Sequence, residues 1–178
     1  MNNVKDPDKI AERNIIFERI VDQYQLSLLK MCYLHLRDQS LAEDAVQETL
    51  LKVYRSLDSF QGQCSEKTWI MKIAINTCRD MNHSSWYRFV SYEVTPDMLP
   101  EPSTELEEHD EVLTLAVMNL PRKLREVILL YYYQDISTIE ISDLLGISQS
   151  SVSGRLKRAK DKLRKSIERS EFYEQKNT

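Results

Sequence analysis

Gln149, Ser150 and Ser153 fall within five residues of one another, and Arg155, Lys157 and Arg158 follow at once. Amide and hydroxyl side chains donate and accept hydrogen bonds, which suits them to base edges in a DNA major groove. Guanidinium and ammonium groups hold phosphates or the acceptor edge of guanine. The spacing supports that chemistry. Val152, Leu156, Ala159 and Leu163 recur at helical intervals and form one apolar stripe, leaving most of the polar set on other faces of the helix. Further along, Lys160, Lys162, Arg164, Lys165 and Arg169 join the cations, against only Asp161 and Glu168. So many like charges repel one another, and an anionic partner such as a phosphate backbone relieves the repulsion. Taken alone, the same pattern also fits the solvated face of an ordinary helical domain.

The elements that must position these residues are legible on both sides. Ser137 and Glu140 form a Ser-x-x-Glu capping box that opens a short helix, with Ile139, Ile141, Leu144 and Leu145 as its expected buried side. Gly146 permits a left-handed reversal, and Ser148 can cap the next helix. The pattern is helix, tight turn, basic helix. Upstream, Pro121 can start a helix in which Leu124, Val127, Ile128, Tyr131 and Tyr132 are expected to face inward. A shorter stripe of Val112, Leu115, Ala116 and Leu120 precedes it.

The N-terminal half repeats the helical rhythm. Ile16, Ile20, Tyr24, Leu28 and Cys32 line one face of a segment from about Ile10 to Leu36. Ser40 and Glu43 suggest a capping box for a second helix, whose apolar side is Leu41, Ala45, Val46, Thr49, Leu50, Val53 and Leu57. A loop containing Gly62 leads to a third helix beginning near Ser65, with Trp69, Ile70, Ile73, Ala74, Thr77 and Met81 as its buried side. Two polar constellations lie off these stripes. Asp44, Gln47, Glu48 and Leu51 stand at i, i+3, i+4 and i+7 and share an exposed face of the second helix. Lys72, Asn76 and Arg79 share a face of the third. Trp69 aligns with the apolar stripe and reads as core. Trp86, Tyr87 and Phe89, interleaved with Arg88, suit either stacking on unpaired bases or packing against the end of the domain.

Bulk properties limit the possibilities. The 178 residues allow one domain or two small ones, and the net charge of −4 excludes a uniformly basic coat. Charge is segregated instead. From Ser91 to Pro121 there is no Lys or Arg, while acidic residues accumulate. Pro96, Pro100 and Pro102 break periodicity in the same stretch, which reads as a linker. Scarce glycine and the near absence of alternating patterns make the chain all-α. Cys32, Cys64 and Cys78 lack Cys-x-x-Cys spacing and read as free thiols, and the histidines have no ligand spacing, so no metal and no cofactor is expected. No apolar run spans a bilayer and no signal-peptide core opens the chain, so a cytosolic location is expected. No paired catalytic carboxylates, phosphate-cradling glycine loop or Cys/His constellation points to an enzyme.

The stretch from Leu41 to Asp80 resembles region 2 of the sigma-70 family, in its extracytoplasmic-function (ECF) subgroup. The resemblance rests on Glu43-Asp44-Ala45-Val46-Gln47-Glu48, Tyr54-Arg55, Phe60-x-Gly62, Thr68-Trp69-Ile70 and Ile73-Ala74-x-Asn76. The stretch from Leu120 to Arg164 resembles region 4. The resemblance implies a region 2 helical bundle over residues 10–92, an acidic linker over 93–109 and a region 4 helix-turn-helix over 110–172. It further implies a promoter-specificity subunit of bacterial RNA polymerase with no catalysis of its own. Asp44, Gln47, Glu48 and Leu51 would dock on the clamp helices of the largest core subunit, and region 4 on the flap of the second-largest. Ser59, Phe60, Gln61, Gly62, Lys67, Lys72, Asn76 and Arg79 would meet the melted −10 element. Gln149, Ser150, Ser153, Gly154, Arg155, Lys157 and Arg158 would read the −35 duplex. Ser153 and Gly154 depart from the Lys and Ser frequent in the family, so no −35 sequence carries over. An anti-sigma factor, often membrane-bound, is the implied regulator. The competing reading, a stand-alone helix-turn-helix regulator, requires a homodimer and a palindromic site.

Overall fold

The computed structural model describes residues 7–83 and 108–176, all-α with no strand among them. Helix α1, Pro7–Leu36, begins on a proline, whose missing N–H costs nothing at a helix start. It buries Ile20, Tyr24, Leu28, Met31 and Cys32 along one side. It ends where Arg37 turns left-handed (φ 64°) and its N–H reaches back to the Tyr33 carbonyl, 2.7 Å away. Asp38 then caps α2, Gln39–Ser56, by accepting from the Leu41 N–H. The expected Ser40/Glu43 box is therefore displaced by two residues. An extended Asp immediately after the reversal captures the orphan donor first. Helix α2 packs through the small stripe Ala42, Ala45, Val46, Thr49 and Val53. A 3-10 turn, Leu57–Ser59, and a loop lead to α3, Glu66–His83, whose start is tied by the Thr68 N–H to Ser65 Oγ.

The second module comprises α4, Glu108–Met118, α5, Arg122–Ile128, α6, Thr138–Leu145, and α7, Gln149–Lys176. Between α5 and α6 the chain makes a π turn, Leu129–Tyr133. The wider turn changes the register, so Leu129 and Leu130 are buried while Tyr131 and Tyr132 are exposed, the latter by 51%. That reverses the inward placement expected for the two tyrosines. Ile139 is likewise 60% exposed, because Ile141 and Leu144 carry the buried face of α6 and Ile139 lies well round the helix from them.

The two modules pack against each other and share one continuous apolar core. Helix α1 meets α4, α5 and the π turn, while α3 meets α6. Met71, Ile75 and Cys78 are buried on α3 in addition to the expected Ile70, Ala74 and Thr77, because α3 packs against both α1 and α2. Cys32 and Cys78 are free thiols in the core with sulfurs 3.6 Å apart, and Cys64 is exposed. Contact with Cys32, then burial, push the Cys78 thiol upward, which leaves it protonated and unreactive. No helix is long and apolar enough to cross a membrane among the described residues.

A buried carboxylate sits on the seam. Glu126 of α5 has a side chain only 2% exposed. Arg79 of α3 donates to both its oxygens, Nε to Oε1 at 2.9 Å and Nη2 to Oε2 at 2.8 Å. His35 Nε2 of α1 lies 3.4 Å from Oε1, and Arg122 stands 3.9 Å away. Burial alone raises a carboxyl, but the bonds from Arg79 and His35 outweigh it and hold Glu126 at about 2. Arg125, also buried, donates to the Met118 carbonyl, and burial lowers it to about 9, still cationic at neutral pH. His35 is displaced downward, first by burial and then by Arg125 and Arg122, against the pull of Glu126. It is therefore neutral, with its Nε2–H directed at the carboxylate.

The direction of the His35 shift sets a pH dependence. The unfolded chain takes up a proton at His35 near the ordinary value of 6.5 and the folded chain does not, so stability is lost as pH falls below 6.5. The slope from this one group approaches about 1.4 kcal/mol per pH unit. Glu126 adds a separate loss between 4.5 and about 2. Urea unfolding between pH 7 and 5 is expected to show a shallower decline for His35→Gln than for the native chain. Parallel declines would contradict the buried neutral imidazole.

Candidate nucleic-acid interface

The helix-turn-helix forms as its caps require. Ser137 Oγ accepts from the Glu140 N–H and Glu140 returns the bond to the Ser137 N–H, at 3.3 and 3.2 Å. Gly146 adopts φ 66°, ψ 39°, the left-handed conformation that glycine takes without strain. The Ile147 N–H then closes the turn on the Ser142 carbonyl at 3.0 Å. Ser148 Oγ accepts from the Ser151 N–H and starts α7. Val152, Leu156 and Ala159 are buried. Gln149, Ser150, Ser153, Lys157 and Arg158 are exposed, and Gly154 and Arg155 are half-buried. Gln149 Nε2 donates to Thr138 Oγ1 across the turn at 3.1 Å, which steadies the first side chain of the polar face. Arg158 Nε donates to the Gly154 carbonyl, and a Cβ placed on Gly154 meets nothing within 4 Å.

The second constellation is divided. Lys72 and Asn76 are exposed on α3, but Arg79 is half-buried in its bidentate pair with Glu126. Ahead of α3 Ser59, Gln61 and Gly62 are exposed, and Lys67, in the first turn of α3, is half-buried. Phe60 stacks on Trp69, ring centres 4.6 Å apart at 20°, which pins the loop to the first turn of α3. Trp69 thus packs, although as part of a half-buried aromatic pair. The Trp86, Tyr87, Arg88 and Phe89 group lies outside the described residues, as does most of the acidic stretch.

On α2, Asp44, Gln47 and Leu51 stand together on an exposed face, Leu51 by 49%. Glu48 is half-buried and pairs with Lys52 at 3.6 Å. Lys52 also donates to Thr77 Oγ1 of α3 at 3.1 Å, so the acidic face is anchored to the neighbouring helix. No cluster of three or more metal-ligating side chains occurs among the described residues.

The sequence reading missed the residues that join the modules. Glu140 acts in the capping box and also accepts from Thr68 Oγ1 of α3 at 2.8 Å, and Ser137, then Thr68, lower its carboxyl below the ordinary range. Glu126 and His35 belong to no motif. The signal was a charged pair, Arg125-Glu126, inside the apolar run from Leu124 to Leu130.

Residues 20–86 match the Sigma-70 region 2 family and residues 110–163 match the Sigma-70 region 4 family. Among curated proteins the chain is similar to the ECF RNA polymerase sigma factor SigW of Bacillus subtilis. The two are 30% identical over 165 residues, covering 85% of this chain and 88% of the relative. Among solved structures the fold resembles the sigma factor RpoE in complex with the anti-sigma factor NepR from Bartonella quintana, with a TM-score of 0.69 at 21% identity, covering 85% and 98% of the two chains. It also resembles CnrH in complex with the cytosolic domain of CnrY, with a TM-score of 0.63 at 22% identity, covering 85% and 87%. With both family regions in order and a full-length relative at this identity, the chain belongs to the sigma-70 family and is an RNA polymerase sigma factor of its ECF subgroup.

Proposed function

We propose that this sigma factor binds core RNA polymerase through the Asp44, Gln47, Glu48 and Leu51 face and directs initiation through two DNA-reading surfaces. The observation that carries the reading is the start of α7. Gln149, Ser150 and Ser153 are exposed there, while Val152, Leu156 and Ala159 fix that helix against its own module. In a major groove these polar groups meet base edges, and Arg155, Lys157 and Arg158 hold phosphates or guanines. Lys72, Asn76, Arg79 and Lys67, with the loop Ser59-Phe60-Gln61-Gly62, engage the unpaired −10 strand. Extruding a base costs a few kcal/mol, which contacts to the separated strand must offset. Each module supplies few contacts, so tight promoter binding requires both to be held by the polymerase at once. The exposed Tyr131 and Tyr132, in edge-to-face contact with centres 4.9 Å apart, suit an apolar partner such as the polymerase flap.

The chain itself performs no chemical step; the polymerase does. It acts in the cytoplasm on promoter DNA. An anti-sigma factor holds it in check, a reading supported by two proteins of the same fold whose solved structures are complexes with such a partner or its cytosolic domain.

In vitro transcription with core polymerase on a fragmented genome library tests the whole reading. Start sites that depend on this chain and share two spaced elements are expected, and their absence with a competent core enzyme would sink it. For the core-binding face, Asp44→Lys with Glu48→Lys is expected to abolish co-purification with core polymerase at unchanged helix content. Retained co-purification removes those residues from the interface. Gly154→Ala is expected to raise stability by about 0.5–1 kcal/mol, since glycine inside a helix is unfavourable by that amount and the added methyl has room. If its transcription falls while stability rises, the backbone at residue 154 approaches DNA closely. If promoter use is unchanged, the glycine is merely tolerated.

A further inference from the structure

We propose that Arg13 and Arg19 of α1 are positioning residues for strand capture, fixing the two feet of the loop ahead of α3 without touching DNA themselves. The proposal rests on the reading in which that loop takes an unpaired base of the −10 strand. Asp58 stands at one foot and Glu66 at the other, with Ser59 to Ser65 between them. Arg13 Nη1 donates to Asp58 Oδ2 at 3.0 Å. Its Nη2 donates to the Tyr54 carbonyl in the last turn of α2, where a cation suits the helix end. The guanidinium lies over the Tyr54 ring, 4.2 Å from its centre, and the side chain is only 13% exposed. Arg19 grips Glu66 with both prongs, Nη1 to Oε1 at 2.9 Å and Nη2 to Oε2 at 2.6 Å. Gln23, one turn on, accepts from Arg19 Nη1 at 3.2 Å and keeps it aimed. The bond from Arg19 outweighs burial and holds the Glu66 carboxyl below the ordinary range.

The first foot is held by more than one residue of α1. Tyr54 OH donates to Asn14 Oδ1 at 3.0 Å, and the Tyr54 ring meets Phe17 edge-on with centres 5.0 Å apart. Arg13 and Arg19 are six residues apart, about 9 Å along α1. The chain from Asp58 to Glu66 could extend about 25 Å, so between its two anchors it folds back on itself. The reversal falls at Gly62, φ 68°. Gln61, Gly62, Gln63 and Cys64 are exposed there, while Phe60 returns to Trp69. Two feet fixed on one rigid helix set the width of this arch. A loop ordered before the strand arrives loses less conformational entropy on capture. Exposed ion pairs of ordinary geometry would not hold it, but the Arg19 fork is bidentate and Arg13 is largely shielded from water.

The test uses holoenzyme assembled from core polymerase and the full chain, on a promoter recovered from the genome library. Arg19→Gln with Asp58→Asn loosens both feet and leaves the net charge unchanged. Permanganate reactivity of unpaired thymines reads strand opening. On the duplex promoter the variant is expected to open at least fivefold more slowly than the native chain. On the same promoter carrying a mismatched bubble over the −10 element the bases are already unpaired, and the deficit is expected to shrink to twofold or less. A general loss of folded protein would lower both templates alike. Co-purification with core polymerase is expected to stay within twofold of native. Arg19→Lys keeps the charge but offers no fork, and a deficit of at least twofold on the duplex is expected from it. Asp58→Asn alone alters a carboxylate that is 73% exposed and is expected to give at least a twofold deficit on the duplex, which keeps the test valid should the double variant fold poorly. Equal deficits on the two templates, or none on the duplex, overturn the proposal. Failure of the sigma reading looks different, since the native chain then yields no transcript with core polymerase.

Discussion

Glu126 is the constraint on which the arrangement of this molecule depends. A carboxylate removed from water must be paired or its burial becomes strongly unfavourable. Its partners come from three helices: Arg79 on α3, His35 on α1 and Arg122 one turn earlier on α5. That requirement fixes how the second module seats on the first. Apolar packing alone is tolerant of sliding, whereas a two-pronged guanidinium pair fixes both angle and register. Around this point the apolar cores of the two modules become one. Neutral His35 follows from the same burial, which disfavours its charged form, with the neighbouring Arg125 and Arg122 adding to the effect.

The sequence carried the elements that are specified locally. The turn at Gly146 was visible because a capping box, a permissive glycine and a second capping serine lie within a dozen residues. The acidic face of α2 and the polar start of α7 were visible because helical spacing alone separates them from their stripes. What periodicity could not show depends on the third dimension. The π turn changes the register of Leu129–Tyr133, so a 3.6-residue template put Tyr131 and Tyr132 on the wrong side. Helix α3 is packed from two directions, so Met71, Ile75 and Cys78 lie outside the single stripe expected for it. Arg79 meets a partner 47 residues away, a distance at which no spacing rule operates.

The surfaces assigned to polymerase and to DNA differ in how far they are ready for use. The α2 face is preassembled: Glu48 is anchored to Lys52, and Lys52 to Thr77 of the neighbouring helix. The start of α7 is likewise set, with Gln149 tied back to Thr138. The loop ahead of α3 is secured by the Phe60–Trp69 stack, yet the end of the helix is engaged within the chain. The proposed docking face on α2 is thus held by contacts within its own module, whereas Arg79 at the end of α3 is held by the second module.

The shared core also has a thermal consequence. A seam closed in large part by hydrocarbon surface releases structured hydration water when it shuts, so shutting lowers the heat capacity. Such a seam weakens as the solution cools. The same ion pairs then meet a smaller apolar contribution, so the hold of the second module on the first depends on temperature even in the absence of any ligand.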